Sequence, residues 1–313
     1  MLQIKNRLGG TGGNSEGLYV WKKYESIPDP YLCFLGNEEF TLQTYNNTKN
    51  WDGTLEYSTD VITWSTWDGV TVISSSGKKL YLRGTGNTVI TGNLADYSFL
   101  FNSINQTYTL RISCQGNIES LLDYETVAAG NHPPMGSYCF AYLFDYSVVV
   151  NSPELPATIL AESCYTCMFR DCYHLTTAPE LPATTLAKSC YASMFRSCSK
   201  LTTAPELPAT ILAEGCYDSM FHSCSNLTIV PELPATALAE GCYSSMFHSC
   251  VEINLSSTQT GEYQTPYRIP ISGTGTVGTN SLTDMFTNTG GTFKGTPEIN
   301  TTYYYYHKDS TVN

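Results

Sequence analysis

The sequence predicts an α+β fold in which an antiparallel β-sandwich is followed by a short strand–helix solenoid. Two observations carry this expectation. Short alternating strands recur at a spacing of about ten residues over residues 33–128. A 26-residue repeat then runs through most of residues 129–313. With 313 residues the chain is long enough for two such units, each with a core of its own.

Residues 1–32 open on a glycine-rich stretch from Gly9 to Gly13 and are punctuated by Pro28 and Pro30. They are expected to form an arm or linker that packs little by itself. In the next segment Phe40–Tyr45, Val61–Trp64, Val70–Ile73, Lys79–Leu82, Val89–Ile90 and Tyr108–Ile112 read as strands. Asp52-Gly53 and Asp68-Gly69 supply turns between them. No helical stretch is expected here, so a small sandwich spans residues 33–128. Trp64 and Trp67 offer rings to a sugar, but at three-residue spacing in a strand they face opposite ways and one belongs to the core.

The repeat is defined by Leu155-Pro-Ala-Thr, which recurs at Leu181, Leu207 and Leu233. Leu160, Leu186, Leu212 and Leu238 form one column, and Cys164, Cys190, Cys216 and Cys242 the next. Met168, Met194, Met220 and Met246, each followed by Phe, form a third; Cys172, Cys198, Cys224 and Cys250 form a fourth. Degenerate copies flank the run, with Cys139 and Leu143-Phe144 before it and Ser281 and Met285-Phe286 after it. Leu160, Cys164, Met168 and Cys172 sit four apart, which predicts one stripe of a helix bounded by Pro156 and Pro179. Leu175–Ala178 reads as a short extended piece. One such unit cannot bury its apolar face alone, so the units must stack. The period matches leucine-rich repeats, which run to about 20–29 residues. Six rungs at about 4.8 Å give a stub of about 25 Å. Tyr303–Tyr306 are expected to lay rings over the last rung, with His307-Lys308-Asp309 facing water.

Composition narrows the partners. Sixteen Lys and Arg against 28 Asp and Glu leave a net charge of −12, which argues against nucleic acid. Only 14% of residues are charged, against about 25% in an average soluble domain. Serine, threonine, asparagine and 23 tyrosines carry the surface polarity, as suits an extracellular or particle-bound protein. The first residues contain no apolar signal-peptide core, and no apolar run is long enough for membrane insertion.

The unit Leu-Pro-Ala-Thr-x-Leu-Ala-x-x-Cys-Tyr-x-x-Met-Phe-x-x-Cys-x-x-Leu resembles the BspA-like class of leucine-rich repeats. These occur in surface proteins of gut and oral bacteria and in their phages. The resemblance covers residues 137–306, and Met285–Phe293 through Thr301–Tyr304 looks like the closing segment of that class. The stretch Gly116–Leu122 is similar to the end of a module that often precedes such repeats. The glycine-rich opening followed by Tyr19-Val-Trp-Lys-Lys-Tyr24 resembles phage tail or fibre proteins. Together these resemblances imply surface attachment or particle structure, and they transfer no catalytic residues.

Several motifs have a plain structural reading. Cys164, Cys167, Cys172 and His174 superficially spell a zinc site, but Cys164 and Cys172 belong to columns present in every unit. No metal and no cofactor is expected. The column cysteines read as small buried hydrophobes with free thiols. Gly13-Asn-Ser-Glu-Gly17 lacks the strand and helix of a nucleophile elbow. Gly273-Thr-Gly-Thr-Val-Gly278 lacks the βαβ unit of a dinucleotide site. Sequons at Asn46, Asn105, Asn226, Asn254 and Asn300 arise from a Ser/Thr-rich composition.

One pattern points to binding. Arg170, Arg196, His222 and His248 follow the Met-Phe pair in successive units and stack at rung spacing. Beside them run His174, Lys200, Asn226 and Glu252. Either this is a solvated face, or Arg170, Arg196, His222, His248, His174, Lys200 and Asn226 form a strip for an acidic surface polymer. Tyr165, Tyr191, Tyr217 and Tyr243 lie near the strip or in the core.

The expected function is that of a non-enzymatic phage structural protein of the tail-fibre or head-fibre type. Its arm would bind other virion proteins and its repeats a host-surface glycan or protein. A bacterial BspA-like surface adhesin is the alternative. A glycan-cleaving enzyme ranks third, because Glu162, Lys188, Glu214 and Glu240 alternate in charge where paired carboxylates are needed. A homotrimer is compatible with a fibre, although no heptad run imposes one.

Overall fold

The chain, a computed structural model, is described over residues 31–92 and 98–306. The glycine-rich arm, its Gly13–Gly17 and Tyr19–Tyr24 motifs and His307-Lys308-Asp309 lie outside the described residues. The first half contains β1 (Leu32–Gly36), β2 (Phe40–Thr44), β3 (Thr54–Ser58), β4 (Ser65–Trp67), β5 (Ile73–Ser74), β6 (Lys79–Thr85), β7 (Phe99–Ser103) and β8 (Ile112–Gln115). A helix, α1 (Ser120–Ala128), and a further strand, β9 (Val149–Asn151), follow. The strands form a six-stranded sheet ordered β4-β3-β6-β1-β8-β9 and a three-stranded sheet ordered β5-β2-β7. All pairings are antiparallel except that of β8 with β9.

Alternation sorts the faces: β2 buries Phe40, Leu42 and Thr44, and β6 buries Leu80, Leu82 and Gly84. Phe34 of β1 meets Phe99 and Phe101 of β7 edge-on, with centroids 6.3 and 5.0 Å apart, and so joins the two sheets. Of the tryptophan pair, Trp67 is core and packs 5.2 Å from Trp51. Trp64 is half-buried under the guanidinium of Arg83, 4.1 Å from its ring. Expected strands at Val61–Trp64 and Val89–Ile90 do not form. At the first, Asp60 accepts the Ile62 and Thr63 N–H groups and Val61 adopts a positive φ of 58°, so a side-chain oxygen replaces a ladder. The helix α1 was not expected. It packs on β6 where Gly84 has no side chain, since a Cβ there would sit 1.7 Å from the Leu121 carbonyl oxygen.

The repeats overturn the predicted strand–helix solenoid and with it the α+β class. Among the described residues α1 is the one helix, and it lies outside the repeats. The arm of each unit is a run of consecutive turns. Ser163, Cys167 and Asp171 have φ of 54°, 54° and 56°, and the same holds at Ser189, Ser193 and Ser197 in the next unit. One left-handed residue in every four cannot continue an α-helix. The inward residues Cys164, Met168 and Cys172 do share a face, but at a strict period of four. Alternation of hydrogen bonds replaces the helical ladder. Cys164, Thr166, Met168, Arg170 and Cys172 donate their N–H groups three residues back, at 3.1–3.3 Å. Ser163, Tyr165, Cys167, Phe169 and Asp171 donate instead to the next rung, on Lys188, Cys190, Ala192, Met194 and Arg196, at 2.8–2.9 Å. Each N–H in the arm thus has a partner, half within the rung and half across it. The extended piece at Leu175–Ala178 contributes only isolated parallel bridges, such as Asn151 to Thr177 and Thr203 to Ile229.

Stacked rings fill the interior. Tyr165, Tyr191, Tyr217 and Tyr243 lie at most 1% exposed with successive centroids 5.8 Å apart. Phe144, Phe169, Phe195, Phe221, Phe247 and Phe286 form a second stack at 5.4–5.7 Å. The first rung is bonded directly to the sheets, because Phe99 of β7 donates to the Leu143 carbonyl and Ile90 to that of Cys139. The far end carries β10 (Asn254–Ser256), β11 (Tyr263–Arg268), β12 (Gly290–Gly291) and β13 (Thr302–Tyr306) in the order β11-β13-β10-β12. Of the terminal tyrosines in β13, Tyr303 packs 4.4 Å from Phe293, which in turn meets Phe286 of the last unit at 6.2 Å. Gly273–Gly278 is a connection held by Asn300, whose Oδ1 accepts the Gly275 N–H. No helix among the described residues is long and apolar enough to cross a membrane.

Candidate functional site

The strip expected from the sequence is one outward column of the rung stack. Its members are fourth in each four-residue turn, after the two residues that point inward. Its true head is Asp145, which follows Leu143-Phe144 in the degenerate first unit. Arg170 donates from Nε to Asp145 Oδ1 at 2.9 Å and from Nη2 to Oδ2, a two-pronged pair. The guanidinium also stands 3.7 Å from Asp171 and lies over the rings of Tyr142 and Tyr146 at 5.2 and 5.6 Å. Burial pushes the Asp145 carboxyl up, the guanidinium opposes it, and the pairing raises Arg170 further. Arg170 is therefore half-buried with its charge already paired to Asp145, which leaves it little to offer a ligand.

Further along the column the arrangement changes. Arg196 is exposed, and among the described residues it forms no ion pair. His222 and His248 stack ring on ring, centroids 4.6 Å apart and planes 9° from parallel. Each Nδ1 lies 2.9 Å from the hydroxyl of the next residue, Ser223 or Ser249. When that hydroxyl donates, the imidazole carries its proton on Nε2, pointing a donor away from the rung. Burial lowers the His222 pKa, and the charge of Arg196 and the presence of His248 lower it further. Asp218 is half-buried; burial raises its carboxyl, while hydrogen bonds to Ser244 and Ser219 and then the charge of Arg196 draw it back down.

The second column does not join this group into a single positive face. His174 is half-buried, its pKa lowered first by burial and then by Arg111 and Lys200. Lys200, Asn226 and Glu252 are exposed and pass from positive through neutral to negative. The structure thus brings Arg196, His222 and His248 together, leaves Lys200 and Asn226 at the side, and removes Arg170. The missing partner, Asp145, was legible in the alignment of Leu143-Phe144 with the Met-Phe pairs. The serines at 223 and 249 carry a positive φ of 62° each, and their recurrence just after the column is the corresponding signal.

The column thiols are buried. Sγ of Cys172, Cys198, Cys224 and Cys250 donates to the carbonyl of Phe144, Phe169, Phe195 and Phe221 in turn, at 2.9–3.1 Å. Burial pushes Cys164, Cys216, Cys242 and Cys250 up to about 12 and moves the other column thiols in the same direction. Among the described residues no group of three or more His, Cys, Asp or Glu could hold a metal ion. A separate cleft of about 200 Å³ lies between the sheets and the first rungs, lined by Pro133, Pro134, Met135, Leu160 and the pair Glu119–His132. Its carboxylate is only 1% exposed and joins His132 Nδ1 at 2.7 Å, so the imidazole is open to the surface and Glu119 is not. The molecule is thus a two-sheet unit continued by a stack of turn-built rungs with a short cationic column on its surface. No protein-family model, curated protein or solved structure matches the chain.

Proposed function

We propose that the chain is a non-enzymatic structural protein of a phage particle, of the tail-fibre or head-fibre type. In this reading its repeat stack attaches to a host-surface glycan or protein, and its arm joins it to other virion proteins. The observation that carries the reading is the column Arg196–His222–His248. It projects from rungs whose backbone donors are bonded and whose interior is packed with stacked rings, so its groups are held without a further ordering cost. The BspA-like resemblance of the repeats and the fibre-like resemblance of the opening support the same reading. A surface poor in charge and rich in hydroxyls suits a particle exterior.

The test is binding of fluorescently labelled full-length protein to a panel of gut bacterial cells, read by flow cytometry. At least one strain is expected to bind. On that strain Arg196→Ser reduces binding about ten-fold or more, the effect of removing a charge-assisted contact of about 1.4 kcal/mol or more. Its thermal midpoint stays within a few degrees of the wild-type value, since Arg196 is exposed and forms no ion pair among the described residues. Failure to bind any strain, or full binding by the variant, would count against the reading.

A further inference from the structure

On the attachment reading above, we propose that Arg196, His222 and His248 form one site for a polyanionic glycan whose affinity rises as the medium turns acidic. Three features of the column converge on this. Arg196 has the planar donor fork that suits sulfate and carboxylate. The two imidazoles follow it on consecutive rungs, 4.6 Å apart. Ser223 and Ser249 hold their Nδ1 atoms, leaving the Nε2 edges for a ligand.

The charge balance supplies the pH response. The charged and titratable groups that face His222 are Arg196 on the preceding rung and His248 on the following one. Asp218, on the adjoining face of the same rung as His222, is held by Ser244 and Ser219 and feels the charge of Arg196. Burial and those two basic neighbours all favour neutral His222 in the free protein. A bound polyanion reverses the balance, because its negative charge screens Arg196 from the imidazoles and pairs with each proton they take up. The complex therefore holds more protons than its separated components. By linkage its affinity increases as pH falls through the histidine range. Arg170 takes no part, because Asp145 already neutralises it.

The pitch of the column favours a glycan over an acidic polypeptide. An extended peptide presents same-side carboxylates at about 6.7 Å, twice its rise per residue. The histidines stand 4.6 Å apart and the rings behind them 5.6–5.8 Å apart. Sulfates on short exocyclic arms of a sugar chain adapt to that spacing, whereas a strand falls out of step with it.

The experiment measures binding of the full-length protein to size-defined heparin and to polyglutamate at pH 7.5, 6.5 and 5.5, at constant ionic strength. Heparin affinity is expected to rise at least ten-fold from pH 7.5 to 5.5. Polyglutamate binds at least ten-fold more weakly throughout. Arg196→Ser weakens heparin binding at every pH. His222→Gln with His248→Gln flattens the pH response to under two-fold, at an affinity no better than that of the wild type at pH 7.5. Should the double variant lose its near-ultraviolet circular dichroism, His222→Gln alone is expected to lower the ratio of the affinities at pH 5.5 and pH 7.5. A pH response that survives in the folded double variant overturns the proposal, as does equal binding of polyglutamate or no heparin binding at pH 5.5. Cell binding without heparin binding sinks this site while the attachment reading stands. Heparin binding without cell binding does the reverse.

Discussion

At the scale of single residues, the rungs depend on side chains that tolerate a left-handed backbone. The positions that open each four-residue turn are Ser189, Ser193 and Ser197 in one unit, and Gly215, Ser219 and Ser223 in the next, with φ between 51° and 62°. A small polar residue accepts this conformation, whereas a β-branched side chain is an outlier there. Ser219→Val is therefore expected to destabilise the protein by about 1–2 kcal/mol or more, the cost of αL for an L-residue. Ser219→Gly is expected to stay within about 1 kcal/mol of wild type, because relief of the αL cost offsets glycine's greater chain entropy. Urea unfolding of the two variants checks both. Equal destabilisation by Val and Gly would place the cost in lost contacts of the serine, not in its backbone. This spacing was legible in the sequence as serine, glycine or aspartate at every fourth position of the arm, with Cys167 the one exception in the four full units. It was overshadowed by the inward residues, which sit four apart and so imitate a helical stripe. A helix drifts by 0.4 residue per turn from such a pattern and would recruit i+3 and i+7 positions as well. The second full unit leaves those positions polar: from Leu186, i+3 is Ser189 and i+7 is Ser193; from Cys190, i+3 is Ser193 and i+7 is Ser197.

At the scale of the rung, the cysteine, Met and Phe columns identified from the sequence turn inward as whole columns. Tertiary stacking enforces this, since a residue out of step would break both ring stacks. What the sequence did not disclose is how the backbone satisfies itself. Propensity contains no signal for N–H groups that alternate between a local turn and the neighbouring rung. The strands β1, β3 and β7 were missed for a related reason, being defined by partners far along the chain, such as Leu32 with Leu82. The thiols show the same rung-scale logic. Each Sγ of the Cys172 column rests on a carbonyl of the preceding rung, and burial raises its pKa. With a pKa near 12, a thiol such as Cys216 is ionised about once in ten thousand at pH 8, and only the thiolate is the nucleophile. The eight column cysteines are thus expected to resist iodoacetamide in the native protein and to react within minutes in 6 M guanidinium, as read by intact mass. Rapid native modification of even one column would show that its rungs open well below the global unfolding free energy.

At the scale of the whole molecule, the sheets and the rungs share their backbone hydrogen bonds. The parallel pairing of β8 with β9 carries the six-stranded sheet past the end of α1, and Asn117 and Asn151 extend the ladder to Glu154 and Thr177. Phe144 touches Phe34 and Phe99 on one side and Phe169 on the other, so one set of aromatic contacts runs from the sheets into the stack. A column of charges such as Arg196–His222–His248 is only as well placed as the rungs beneath it, and the first of those rungs is bonded to the sheets. This leads to a measurable coupling. All four tryptophans lie within the first 67 residues, so their fluorescence reports the N-terminal part alone. The Tyr165–Tyr243 stack instead dominates the tyrosines that become exposed when the rungs separate. Tryptophan emission and tyrosine difference absorbance are expected to share one thermal midpoint, because losing the sheets strips the first rung of its partners on Phe99 and Ile90. If the tyrosine signal melted first, the rungs would fray from the far end, as nearest-neighbour stacks do when their end unit is weak. Protecting His222 and His248 would then fall to β10–β13, and Tyr303→Ala would loosen the column and the binding it supports.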